Sequence, residues 1–114
     1  MTYQWQVFFA SLNPTRGSEQ SGRRPVLIIS REEINQILSV VNAIPLTSRK
    51  AGRRVYPNEV FVPSGTAGLR VDSIALCYQI RTIDKRRLER RLGEVADMQI
   101  RRDILEALRF QLEI

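Results

Sequence analysis

The stretch Pro-Thr-Arg-Gly-Ser-Glu-Gln-Ser-Gly-Arg-Arg-Pro-Val-Leu-Ile-Ile-Ser, residues 14–30, sets the organisation of the chain. Its first half is a loop punctuated by Pro14, Gly17 and Gly22, and the two glycines admit backbone conformations closed to other residues. Its second half holds a short apolar run, Val26 to Ile29, bounded by Pro25 and Ser30, which is the pattern of a buried strand. Pro25 disfavours the helical region for the residue before it, so Arg24 is expected to be extended, its guanidinium held where loop meets strand. The loop therefore presents Arg16, Glu19, Gln20, Arg23 and Arg24 from an anchored exit. That suits a fixed array of polar groups, and equally a plain solvated hairpin.

Outward from this stretch, residues 4–12 place Trp5, Val7 and Phe9 on one face and Gln4, Gln6, Phe8 and Ala10 on the other, a period of two that predicts a strand. Residues 25–30 form the next strand, and 31–36 are too short and polar to assign. A third strand is expected over 38–46, where Val40, Val41 and Ile44 are β-favouring and the polar Thr47-Ser48 closes the run. Residues 58–63 read as a short strand, and 73–83 as one long strand in which Ile74, Leu76, Tyr78 and Ile80 share a face. Asp84 is placed to cap a basic helix over 85–92 that stops at Gly93. Asp97 is placed to cap a final helix from 98 to 112, whose Ile100, Ile104, Leu108 and Leu112 fall four apart, with Leu105 widening the stripe. That apolar face requires a cover, either the protein's own sheet or a second copy of the chain. Five short strands before terminal helices make a mainly β fold with C-terminal helices (α+β), a partly closed, mostly antiparallel barrel formed by one domain over 1–114.

Composition narrows the chemistry. The 114 residues are 43% hydrophobic and 26% charged, and no apolar run approaches the roughly 18 residues of a membrane span, so a soluble, cytoplasmic protein is expected, with no secretion signal. There is no histidine, which removes histidine-ligated metal sites, Ser-His and Cys-His nucleophile pairs and a two-histidine nuclease mechanism. The single cysteine, Cys77, lies in an apolar run; it allows no internal disulfide and is expected to be a buried thiol. Net charge is +6 and arginine far outnumbers lysine, which favours forked hydrogen bonds to phosphate or an acidic protein partner. Residues 49–54, with Arg49, Lys50, Arg53 and Arg54, form a basic loop.

Three polar sets call for a reason: Glu19, Gln20 and Arg24 in the loop, Thr47 and Ser48 at the end of an apolar strand, and Gln79 among apolar neighbours. If strand 25–30 pairs antiparallel with 38–46, Arg24 and Thr47 meet at one end of the pair. In RNA cleavage without histidine, the 2′-hydroxyl attacks the adjacent phosphorus, and the protein must orient the chain and neutralise the phosphoryl oxygens. Arg24 supplies charge and forked donors, Thr47 a hydroxyl, and Glu19 a proton acceptor. A guanidinium holds its proton too tightly to serve readily as an acid.

Several segments carry a family resemblance: Gly-Ser-Glu-Gln-Ser-Gly-Arg-Arg-Pro-Val-Leu-Ile at 17–28, Pro-Leu-Thr-Ser at 45–48, Asn-Glu-Val at 58–60 and Gln-Ile-Arg-Thr-Ile-Asp-Lys-Arg-Arg-Leu at 79–88. In order and spacing they resemble the MazF/PemK family of toxins over nearly the whole chain. The resemblance implies an SH3-like barrel, a homodimer, and a metal-independent endoribonuclease without cofactor. Such an enzyme cuts single-stranded RNA at short sequences, leaves a 2′,3′-cyclic phosphate and a 5′-hydroxyl, and is inhibited by a cognate acidic antitoxin. By position, Arg24 and Thr47 match the family's catalytic arginine and threonine, while Glu19, Gln20 and Gln79 match residues lining the RNA site, with Ser48 beside them. Trp5, Gln6 and Ser11 depart from the family pattern outside that pair. Two alternatives stand beside this reading: a CcdB-like gyrase poison on the same barrel, and an RNA-binding module without catalysis. The terminal Arg-Phe-Gln-Leu-Glu-Ile lacks the aromatic and glycine tip associated with gyrase binding.

Overall fold

The computed structural model describes all residues, Met1–Ile114. Seven strands, β1 (Gln6–Ser11), β2 (Arg23–Ile28), β3 (Val40–Ser48), β4 (Glu59–Val62), β5 (Ser73–Leu76), β6 (Arg81–Asp84) and β7 (Leu88–Glu94), form an antiparallel sheet. A four-residue helix α1 (Glu32–Asn35) links β2 to β3, and α2 (Met98–Leu112) ends the chain. The strand order is β4-β5-β3-β2-β1-β7, with β6 also pairing β3. No ladder joins β7 to β4, so the barrel is partly closed, as its strand pattern leads one to expect. The open seam is bridged where the 3-10 turn Thr66–Gly68 packs on β7. That approach depends on two glycines: a Cβ on Gly93 would lie 2.6 Å from the Ala67 carbonyl carbon, and one on Gly68 2.3 Å from the Leu92 oxygen.

The sheet curls because β3 is long enough to serve two partners on one edge. Its end pairs with β5, Leu46 facing Ala75, and its beginning pairs with β6, Ala43 facing Arg81. Six residues on one side span three on the other, so the expected single strand over 73–83 is broken by a 3-10 turn at Cys77–Gln79. Alternation cannot reveal such an excursion, because Cys77 still points into the core while Tyr78 and Gln79 leave the sheet.

The basic helix expected over 85–92 is also absent. Asp84 caps only one 3-10 turn, Lys85–Arg87, by accepting from Arg86 N–H at 2.8 Å, and the chain then continues as β7. The free edge of β1 decides this: pairing with Gln6 through Ala10 satisfies a ladder of backbone groups that a helix would leave open to solvent. The terminal helices of the expected fold are therefore one, α2. Its cap is as anticipated, with Asp97 accepting from Gln99 and Ile100 N–H at 2.8 and 3.3 Å.

Both faces of the central strands are buried. Val7, Leu27, Ile44 and Leu46 join β4, β5 and α2 in one core of 15 residues, while Phe8, Ala10, Val26, Ile28, Val41 and Ala43 join Leu12 and Ile83 in a second of 8. Ile100, Ile104 and Leu108 of α2 close the first core from the protein's own side, and Leu105 and Leu112 stay exposed. The helix stripe is thus covered within the chain at Ile100, Ile104 and Leu108. Cys77 is buried in the same core, and desolvation pushes its thiol pKa up to about 12, which makes it inert at neutral pH.

Candidate active site

The loop between β1 and β2 is a closed unit. Leu12 N–H donates to the Gly22 carbonyl at 2.9 Å and Gly22 N–H to Asn13 Oδ1 at 3.1 Å, while Gly17 and Gly22 take φ of 55° and 79°. Two arginines clamp its base: Arg81 Nη1 donates to the Leu12 carbonyl at 3.3 Å, and Arg87 Nη1 to the Ser11 carbonyl at 3.3 Å and to that of Asn13. Neither stands out in the sequence, because Arg81 reads there as one polar position of an alternating strand and Arg87 as one more member of a charge run.

Arg24 lies in β2 opposite Ala10 of β1, and Thr47 lies near the end of β3. The two strands bring them together: Arg24 Nη1 donates to Thr47 Oγ1 at 3.5 Å, the outer limit of a hydrogen bond. Arg24 Nε is fixed by the Ser21 carbonyl at 2.7 Å, so the loop itself orients the guanidinium and leaves Nη2 free. Both residues are half-buried, which gives donors a partly desolvated setting without closing them off.

The remaining expected residues divide. Gln79, lifted out of the sheet by the 3-10 turn, meets the loop: Gln20 N–H donates to Gln79 Oε1 at 2.8 Å, and Gln79 Nε2 to the Ser18 carbonyl at 3.3 Å. It is bonded to backbone and acts as a latch. Gln20 Oε1 is buried without a hydrogen-bond partner. The Glu19 carboxylate accepts from Arg16 N–H within the loop and is otherwise exposed. Ser48 is exposed at the end of β3, opposite Ser73.

Two clefts flank this arrangement. One, of about 440 Å³, is lined by Ser18, Glu19, Gln20, Pro45, Gln79 and Arg81 among others. The second, of about 490 Å³, is lined by Arg24 and Thr47 themselves together with side chains of β1, β7 and the loop after Gly68. The basic loop 49–54 is only partly free. Arg53 makes a forked pair with the buried Glu59 at 3.0 and 2.9 Å, and Arg49 lies over Phe61, 5.0 Å from the ring centroid. The hydrogen bonds from Arg53 hold the Glu59 carboxyl below the ordinary glutamate range, against the opposing effect of burial. Gln6, one of the departures from the family pattern, is buried but satisfied: it accepts from Arg91 Nε at 2.6 Å and donates to Glu94 at 3.2 Å.

Residues 3–112 match the family described as PemK-like, MazF-like toxin of type II toxin-antitoxin system. The chain belongs to this family. It is 36% identical over 115 residues to endoribonuclease MazF9 of Mycobacterium tuberculosis, covering 96% of this chain and 92% of that protein. It is 35% identical over 101 residues to endoribonuclease MazF of Staphylococcus saprophyticus, covering 89% and 83%. Among solved structures, MazF of Deinococcus radiodurans superposes with a TM-score of 0.81 at 28% identity, covering 97% of this chain and 96% of that one. A mycobacterial endoribonuclease solved in complex with its cognate antitoxin gives a TM-score of 0.81 at 25% identity, covering 100% and 97%. The toxin thus shares the fold over essentially its whole length, and the mainly antiparallel, partly closed barrel expected from the sequence is the one found.

Proposed function

We propose that this toxin is an endoribonuclease that cuts single-stranded RNA at short sequences by 2′-hydroxyl attack. The observation that carries the reading is the convergence of Arg24 and Thr47 across β2 and β3, beside a Glu-Gln loop held in place by Gln79. The 2′-oxygen loses its proton and bonds to phosphorus, the bond to the 5′-oxygen breaks, and that oxygen takes up a proton. The products are a 2′,3′-cyclic phosphate and a 5′-hydroxyl. Arg24 carries the charge that builds on the non-bridging oxygens, its free Nη2 being available to them, and Thr47 Oγ1 adds a hydroxyl donor. Glu19, exposed on the rim of the neighbouring cleft, is the carboxylate we assign to take the 2′ proton, and Gln20 and Ser48 are assigned to contact the flanking chain. Nothing in this scheme requires a metal or a cofactor.

The toxin acts in the cytoplasm, and its antagonist is a cognate antitoxin whose acidic, partly disordered segment covers the same basic surface as RNA and folds as it binds. It works as a homodimer. Since α2 spends Ile100, Ile104 and Leu108 on its own core, we assign the second copy to the apolar face around Ile37, Leu38 and Val40, which are 76%, 47% and 37% exposed.

The test is cleavage of a long RNA in EDTA with the cut ends mapped, repeated with Arg24→Ala. Loss of a preorganised charged donor is expected to lower single-turnover rates by roughly 100-fold or more, with Thr47→Ala milder. Wild-type rates in both variants, or no cleavage by the wild type, overturn the reading.

A further inference from the structure

We propose that the cleft of about 490 Å³ behind Arg24 and Thr47 binds the nucleotide adjoining the cleaved phosphate, holding its phosphate between Arg70 and Arg90 and its base on Phe9. This rests on the endoribonuclease reading. The cleft is lined by four arginines, Arg23, Arg24, Arg70 and Arg90, and by no carboxylate. β-Sheet register builds part of it: Phe9 of β1 stands opposite Pro25 of β2 and Arg90 of β7. The guanidinium carbons of Arg23 and Arg90 lie over the Phe9 ring, 5.6 and 5.8 Å from its centroid, so the base takes the place on the ring that Arg90 leaves as it turns to the phosphate.

Arg23 is neutralised outside the cleft by Glu89 at 2.7 Å. Arg70 and Arg90 are exposed and make no ion pair, so like charges converge on one cavity with nothing internal to offset them. The opposite wall is not incidental, because the Gly68 and Gly93 contacts pin the loop carrying Arg70 against β7. Unpaired guanidinium groups around an aromatic and aliphatic floor of Phe9, Pro25, Leu69 and Leu92 match the two chemical parts of a nucleotide: an anion that takes forked donors and a flat apolar base. A free phosphate would use only the arginines, and an acidic peptide would have no use for the ring. Because Arg24 and Thr47 line the same cavity, its occupant is contiguous with the phosphate they hold.

The two clefts then divide the labour. The one lined by Ser18, Glu19 and Gln20 offers polar side chains able to read base edges, whereas the arginine cleft offers charge and stacking, which every base accepts. The adjoining nucleotide therefore counts by its presence more than by its identity.

The experiment uses short RNAs built around the mapped cut and trimmed one nucleotide at a time from each end. In the wild type, one nucleotide next to the cut on one side is expected to raise kcat/KM roughly 10-fold, whichever base it carries. In Arg70→Ala/Arg90→Ala the same nucleotide is expected to give about twofold or less, and Phe9→Leu is expected to remove the difference between a normal and an abasic nucleotide there. With uncleavable 2′-deoxy RNA, the double variant is expected to lower the slope of log affinity against log salt by about 0.7, one phosphate contact on a single strand. If the variants weaken all RNA lengths by one common factor, or none, the cleft is not a nucleotide site. If the wild type cleaves no RNA, the functional reading fails, while length-dependent affinity of the same RNAs still decides the cleft.

Discussion

Replacing Gln79 with alanine removes both bonds that fasten the Glu19-Gln20 loop to the turn after β5: the one from Gln20 N–H at 2.8 Å and the one to the Ser18 carbonyl at 3.3 Å. An intramolecular hydrogen bond contributes about 0.5–1.5 kcal/mol net. The first, short and partly buried, is assigned about 1 kcal/mol, and the second, long and exposed, about 0.5 kcal/mol. Loop closure is thus weakened by about 1.5 kcal/mol, a factor of about 12 in its equilibrium. Hydrogen exchange at the Gln20 amide reads this directly and is expected to accelerate by about that factor. Single-turnover RNA cleavage is expected to fall by no more than about 12-fold, since the open loop recloses before reaction and only its population changes. A cleavage loss beyond about 100-fold with Gln20 exchange unchanged would refute the latch. Gln79 would then act on the RNA itself.

Ile104 is fully buried under the barrel, so Ile104→Ala is expected to cost about 2–5 kcal/mol and to lower Tm by roughly 8–20 °C at every protein concentration. A Tm loss that vanishes on dilution would place Ile104 at an interface between copies instead. Leu38→Asp, on the exposed apolar face, is expected to convert a sedimenting dimer to monomer while leaving the barrel folded; an unchanged sedimentation coefficient removes that face from the dimer. The Glu59 carboxyl titrates below its ordinary value in the folded protein, so the Arg53–Glu59 pair contributes its full stability above the unfolded glutamate pKa and loses it as pH falls through the folded one. The urea midpoint is expected to drop more steeply between about pH 5 and about pH 3 for the wild type than for Glu59→Gln, and parallel curves would show that the pair is not linked to folding.

What the sequence determined by itself was whatever depends on neighbours along the chain. The alternation of 4–12, the apolar run after Pro25, the cap at Asp97 and the fourfold spacing of Ile100, Ile104 and Leu108 each name an element, because a side chain's face is set by the local backbone period. The pairing of β2 with β3, and with it the meeting of Arg24 and Thr47, was legible because antiparallel neighbours bring a strand's start to its partner's end. Tertiary structure decided the rest. Residues 85–92 have a capping aspartate and good helix formers, yet the open edge of β1 draws 88–94 into a strand and carries Arg90 to Phe9. Residues 74–80 keep one face apolar as a single strand would, yet β3 pairs with both ends and forces three residues out, which is how Gln79 reaches the loop. The arginine cleft draws on β1, β2, β7 and the turn after Gly68, positions as far apart in the chain as Phe9 and Arg90. No local period encodes such a meeting, because it is fixed only when backbone hydrogen bonds between distant strands choose their register.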